Sequence, residues 1–313
     1  MQSRFLLILS LAVAFFAMNP APLLAQEPAG RAEHTVAEQT GHQEHHEGVP
    51  LKATPLFEIG SFKVTNSMLV TWVVAILIIV AAQTALRNVR DVPGTRQNFW
   101  EWMVESLYNF LESVIGSDLV KKTFWFFATI FIFILFLNWF GLIPGVGSIG
   151  WGHHAANGEF IVDRPLLRGA NADLNLTFAM ACVFFALWIV WAVQANGVGG
   201  VIKHLFGAKG ESKGFMAVAM AVIFFMVGLL EIVSILFRPI SLSFRLYGNV
   251  YAGEIMLETM SHIVPWLGWL LPIPFYFMEL LVGIVQALVF MLLTAVFLLL
   301  IAQHEPGHGE AHH

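Results

Sequence analysis

Charge is what this chain has little of. Of its 313 residues only 12% are Asp, Glu, Lys or Arg, about half the share of an ordinary soluble domain. That is too little to clothe a water-soluble globular body of usual make-up. The formal net charge is −5, so no basic field draws the chain onto nucleic acid. Cysteine is almost missing as well. The single Cys182 excludes an internal disulfide and a cysteine-built metal cage, and within its apolar run it reads as core filler. In place of charge the chain carries apolar bulk: 58% hydrophobic residues, with 28 Phe and 10 Trp. Such bulk, gathered into uncharged runs of about 20 residues, is the mark of membrane-spanning helices.

Residues 1–25 have the pattern of an export signal. Arg4 is followed by the apolar "FLLILSLAVAFFAM" and by a small residue at Ala25. Residues 26–65 are polar, acidic and His-rich, as expected of an exported flexible segment. His42, His45 and His46 could hold a metal ion loosely, but nothing fixes their geometry, and a solvated segment is the better reading. A membrane channel domain is expected over 66–303, with a polar cytoplasmic tail at 304–313. Residues 66–86, 123–145 and 174–195 are apolar enough to span. Between the first two, Gln97–Ile115 alternates apolar and polar residues at helical spacing. Phe99, Trp102, Met103 and Leu107 can share one face, which predicts a helix on the membrane surface. Residues 146–173 are expected as an acidic loop.

The basic loops are 87–122 and 196–214, and basic residues favour the cytoplasm. This places the N-terminus outside and both loops inside. From Phe215 to Gln303 the chain is apolar with few breaks. As one helix, 215–260 would reach roughly 69 Å and 275–303 roughly 44 Å, against a hydrocarbon core of about 30 Å. Either 215–260 holds two spans or both helices lie strongly tilted. The internal inverted repeat of many secondary transporters is not evident. The fold class expected is an all-α integral membrane protein of about five membrane helices plus a surface helix.

The charges that do occur in the spans carry the functional signal. "SILFRPISLSFRLYGNVYAGEIMLETM", residues 234–260, holds two arginines and two glutamates. A charge at the bilayer centre costs roughly 2.5–3.5 kcal/mol and normally marks an ion path. Glu231, Arg238 and Arg245 recur every seven residues and share a helix face, extended by Ser241, Asn249 and Ala252. Glu254 points away from Arg245 and begins a second stripe with Glu258 and His262. In the last apolar stretch Glu279, Gly283, Gln286 and Phe290 share a face. Carboxylates and His can relay protons. A guanidinium cannot, but it can block, and it can force a passing carboxylic acid to ionise. At 4 Å and an effective dielectric of 20 that attraction is about 4 kcal/mol. The plainer alternative is a structural ion pair or snorkelling, and Arg238 beside Pro239 suits it better than Arg245 does.

"RPISLSFRLYGNVYAGE" followed by "ELLVGIVQALVFMLLTAVFL" resembles subunit a of the F-type ATP synthases, the stator channel beside the rotating c-ring. "VPGTRQNFWEWMVE", "NWFGLIPG" and "ADLNLT" agree, so the resemblance covers about residues 55–303. It implies that Arg245 is the stator arginine. Asn249 and Gln286 would be its polar neighbours, Glu254 a half-channel acid and Glu231 another polar channel position. Several family members carry His where this chain has Glu279. The resemblance further implies two long tilted helices, partnership with the c-ring, the peripheral-stalk b subunits and the lipid of a bacterial inner membrane, a cytoplasmic C-terminus, and no cofactor. The function expected is a proton channel of two offset half-channels, taking protons in near Glu254, Glu258 and His262. The subunit is not an enzyme by itself. A stand-alone secondary ion transporter is the first rival. A membrane redox or metal enzyme is the second, weakened because only His204 and His262 lie near the spans and they are far apart in sequence.

Overall fold

The computed structural model describes residues 54–59, 62–87, 89–146, 149–154, 160–206 and 215–302. The signal-like start, the histidine cluster and the polar tail lie outside these. The described chain opens with an antiparallel hairpin, β1 (Pro55–Ile59) and β2 (Phe62–Thr65). Of the expected flexible segment, 55–59 and 62–65 are thus paired in strands. Apolar residues alternate with polar ones through "FKVT", the period of a half-buried strand, and Val64 is fully buried.

Helix α1 (Asn66–Leu86) follows directly, then α2 (Thr95–Ile115) and α3 (Ser117–Gly141). Gly116 separates the last two at φ 82°, a left-handed conformation that a side chain resists. The expected loop at 146–173 contains a second hairpin, β3 (Gly150–His154) and β4 (Phe160–Pro165), and a 3₁₀ turn at Ala170–Ala172. Helix α4 (Leu174–Phe206) runs past its expected end at 195. It turns at Gly197, where φ 68° and ψ 164° break the helix before it resumes. The first part of the basic loop is thus helical.

Helix α5 (Phe215–Ile263) is one unbroken element that passes through Pro239. Proline removes one hydrogen bond and crowds the carbonyl four residues back, yet the helix carries on, so the two-span alternative falls. Its apolar part, Val222–Ile263, has 42 residues and reaches roughly 63 Å. Helix α6 (Pro272–Ala302) has 31 and reaches roughly 46 Å. Both exceed a core of about 30 Å, so both must lie inclined to cross it. Among the described residues, five helices are long and apolar enough to span a membrane: α1, α3, α4 to Gly197, α5 and α6.

Helix α3 is the hub. It packs against α1, α2 and α6, and Phe126 and Phe127 meet Trp191 of α4 edge-on or tilted at 5.7 and 6.1 Å between ring centres. Of its most apolar window 61% is buried, against 11% for α5, which makes α5 the outlying wall of the bundle. The surface-helix face is shifted from the expected one. Met103, Leu107, Leu111 and Ile115 are buried at i, i+4 spacing, while Phe99 and Trp102 turn outward. Cys182 is exposed on α4 rather than packed in the core.

Candidate functional site

The outlying wall carries the charge pattern. Ser241, Arg245, Asn249 and Ala252 are all exposed along one flank of α5. Spacings of three and four keep them in register on a helix. Small residues flank the arginine, so another helix could approach closely. Among the described residues, no hydrogen bond or ion pair engages Arg245.

Arg238 does not stay on that flank. Its guanidinium carbon lies 4.4 Å from the centre of the Phe297 ring on α6 and 5.8 Å from that of Trp188 on α4. A seven-residue step is about 20° short of a full register, and the long side chain swings to aromatic faces where α4 and α6 converge. The charge of Glu231 also acts on it. Arg238 sits mid-helix and is held by rings, so snorkelling to a helix end is not its state.

On its inner side α5 meets α3 and α6 around a cleft. Asn138, Gly141, Asn249, Gly253, Glu254, Glu279, Gly283 and Gln286 line it, and it encloses about 30 Å³, room for one or two waters. The Asn249 amide donates to Gln286 Oε1 at 2.6 Å. Gln286 is buried, and its carbonyl oxygen accepts from Asn249. Glu279 reaches across from α6 onto bare backbone. A Cβ built on Gly253 would stand 2.5 Å from its carboxyl carbon. Asn138 of α3 donates to the Gly283 carbonyl at 3.1 Å and accepts from Asn171 at 2.7 Å. These bonds hold α6 and the 3₁₀ turn to the hub.

The structure therefore brings Glu254, Glu279, Asn249 and Gln286 to one cleft. Glu258, half-buried, and His262, exposed, lie further along α5 and do not line it. Glu231 lies on the other side of Arg245, about 21 Å away along an ideal helix. Sequence reasoning missed Arg168. It precedes the 3₁₀ turn, is only 4% exposed, and its Nε stands 3.7 Å from Glu254 Oε2. A loop arginine gives no contrast with its neighbours in sequence; the nearby "ADLNLT" was the only signal. Among the described residues no cluster of three or more His, Cys, Asp or Glu could hold a metal ion.

A helical bundle with five helices apolar enough to cross a membrane, among the described residues, and acids set within it defines a membrane protein of the ion-handling class. The chain belongs to the family described as ATP synthase A chain, whose model matches residues 66–299. It is 32% identical over 228 residues to ATP synthase subunit a of Aeromonas salmonicida, covering 72% of this chain and 81% of that one. It is 32% identical over 257 residues to the subunit a of Aliivibrio salmonicida, covering 79% and 84%. It is 28% identical over 258 residues to that of Moorella thermoacetica, covering 82% and 99%.

Proposed function

We propose that the chain is the stator channel of a rotary ATP synthase in a bacterial inner membrane, with α5 laid against a c-ring. Protons enter the cleft of Glu254 and Glu279 from outside, pass to a ring carboxylate, travel with the ring, and leave along an inner path on the Glu231 side. Arg245 stands between the two paths. Its charge forces each arriving carboxylic acid to give up its proton and stops protons passing directly from one path to the other. The N-terminus is outside and the C-terminus cytoplasmic; peripheral-stalk b subunits hold the chain against rotation. The membrane channel domain spans 66–303, and the polar tail lies beyond it.

The observation that carries this reading is the flank of α5. Arg245 is exposed there among small residues and has no partner among the described residues. A charge kept unneutralised on an open apolar wall is available to something that arrives and departs. Gln286 leaves it so, because a neutral amide can hydrogen-bond a guanidinium but cannot cancel its charge.

The test is Arg245→Ala in the assembled complex. Proton-driven ATP synthesis should vanish and a passive proton leak should appear. Arg245→Lys should also fail, because it loses the fork geometry and a desolvated lysine can drop its proton. Near wild-type synthesis in either variant overturns the reading. Ion flux through the purified chain alone in liposomes would favour a stand-alone transporter instead.

A further inference from the structure

We infer that Arg168 is a positioning residue of the outer proton path, acting through its charge on Glu254. This rests on the channel reading above. Arg168 is nine-tenths buried or more, yet none of its three guanidinium nitrogens has a hydrogen-bond partner, and neither does Glu254 Oε2. A structural arginine–carboxylate pair closes to about 2.7–2.9 Å and commonly uses two parallel bonds. Here the approach is single and stays at 3.7 Å. Burying a guanidinium in that condition is costly for a group that only fastens the fold. It suits a group that lends its field while leaving the carboxylate free to take and release a proton.

The surroundings keep the pair exclusive. Asp173, the other acid near the 3₁₀ turn, is committed elsewhere: it accepts from the Ser67 hydroxyl at 2.5 Å and from the Asn175 backbone N–H at 2.9 Å. Gly169 lies against Glu254 Oε1 and close to Gly141, so the turn can press onto α5. The other ionisable groups acting on this pocket are Tyr247, Tyr251 and Glu258 of α5, and Glu279 of α6 across the cleft. Helix α3 contributes Asn138, Gly141 and Leu142, none of them charged. Arg168 is thus the cation that balances this acidic pocket.

The experiment uses the reconstituted ATP synthase, driven by acid–base jumps. The pH is varied on the side that the β3–β4 hairpin faces. Arg168→Gln should lower the synthesis rate and shift its pH profile on that side by roughly one pH unit, the effect of one charge at this distance in a hydrated cleft. Arg168→Lys should retain the wild-type profile. In a Glu254→Gln background, Arg168→Gln should add little, since its effect passes through Glu254. A wild-type profile in Arg168→Gln, or an undiminished effect in the Glu254→Gln background, overturns the inference. Should Arg168→Gln not assemble, Arg168→Lys decides: assembly with the wild-type profile supports a charge role, and failure to assemble overturns it. Undiminished synthesis in Glu254→Gln itself would remove Glu254 from the path and overturn this inference with it, whereas the channel reading stands or falls on Arg245→Ala.

Discussion

Three arginines meet three surroundings in this chain. Arg245 stands open on the flank of α5, Arg238 lies over the Phe297 ring, and Arg168 is buried beside Glu254. Their substitutions should separate accordingly. Arg238→Met keeps much of the bulk and loses a cation–π contact worth about 0.5–2 kcal/mol. Synthesis by the assembled complex should then stay within about two-fold of wild type, while thermal stability falls by an amount of that order. Glu254→Leu should slow synthesis by about ten-fold or more with the complex still assembled, in line with losing a positioned proton-transfer group. A normal rate would remove Glu254 from the path. Arg245 and Glu254 were legible because a charge in an apolar run is itself an anomaly. Arg168 was not, because its burial comes from the 3₁₀ turn folding onto α5, a contact between segments far apart in sequence. The Asn249–Gln286 bond was missed for a related reason: helical spacing orders the residues of one face but does not fix which neighbour on another helix each amide meets.

Among the elements, α5 and α6 meet where Gly253 leaves room for the Glu279 carboxylate. Gly253→Ala puts a methyl group where that carboxylate lies. A rigid interior transmits such a shift instead of absorbing it. The expected outcome is a several-fold loss of synthesis, of the order of the 1–3 kcal/mol cost of overpacking, with assembly retained. Wild-type synthesis would show that Glu279 can move away freely. The length of α5 was legible from its apolar run, but its continuity was not. Pro239 could have ended a helix there, and only the packing of α4 and α6 beside it decides that the helix goes on. The period of α2 was also legible, while its buried face was displaced because Phe99 and Trp102 are amphipathic or bulky enough to serve outside the bundle. The bend at Gly197 could have been suspected from "NGVGG" alone, but not the helix beyond it.

For the whole molecule, the basic loops and the order of spans predict one orientation. In a Cys182→Ser background, a cysteine at Val92 should label from the cytoplasmic side and one at Trp151 from the outside. Both positions are well exposed. Reversed labelling would exchange the two proposed half-channels. The same architecture bears on how the subunit is made. Val222, Phe225, Met226, Leu229, Leu230, Val233, Leu236 and Phe237 of α5 are exposed, and Arg245 follows further along the same wall. Before any ring is present, this wall meets lipid, and it sets a guanidinium against acyl chains at roughly 2.5–3.5 kcal/mol. A newly inserted chain is therefore an orphan that advertises its own incompleteness. Its lifetime should be short when ring subunits are withheld and long once they are supplied, as pulse–chase labelling would record. The feature proposed to gate protons in the finished machine would, during biogenesis, mark the unassembled subunit for removal.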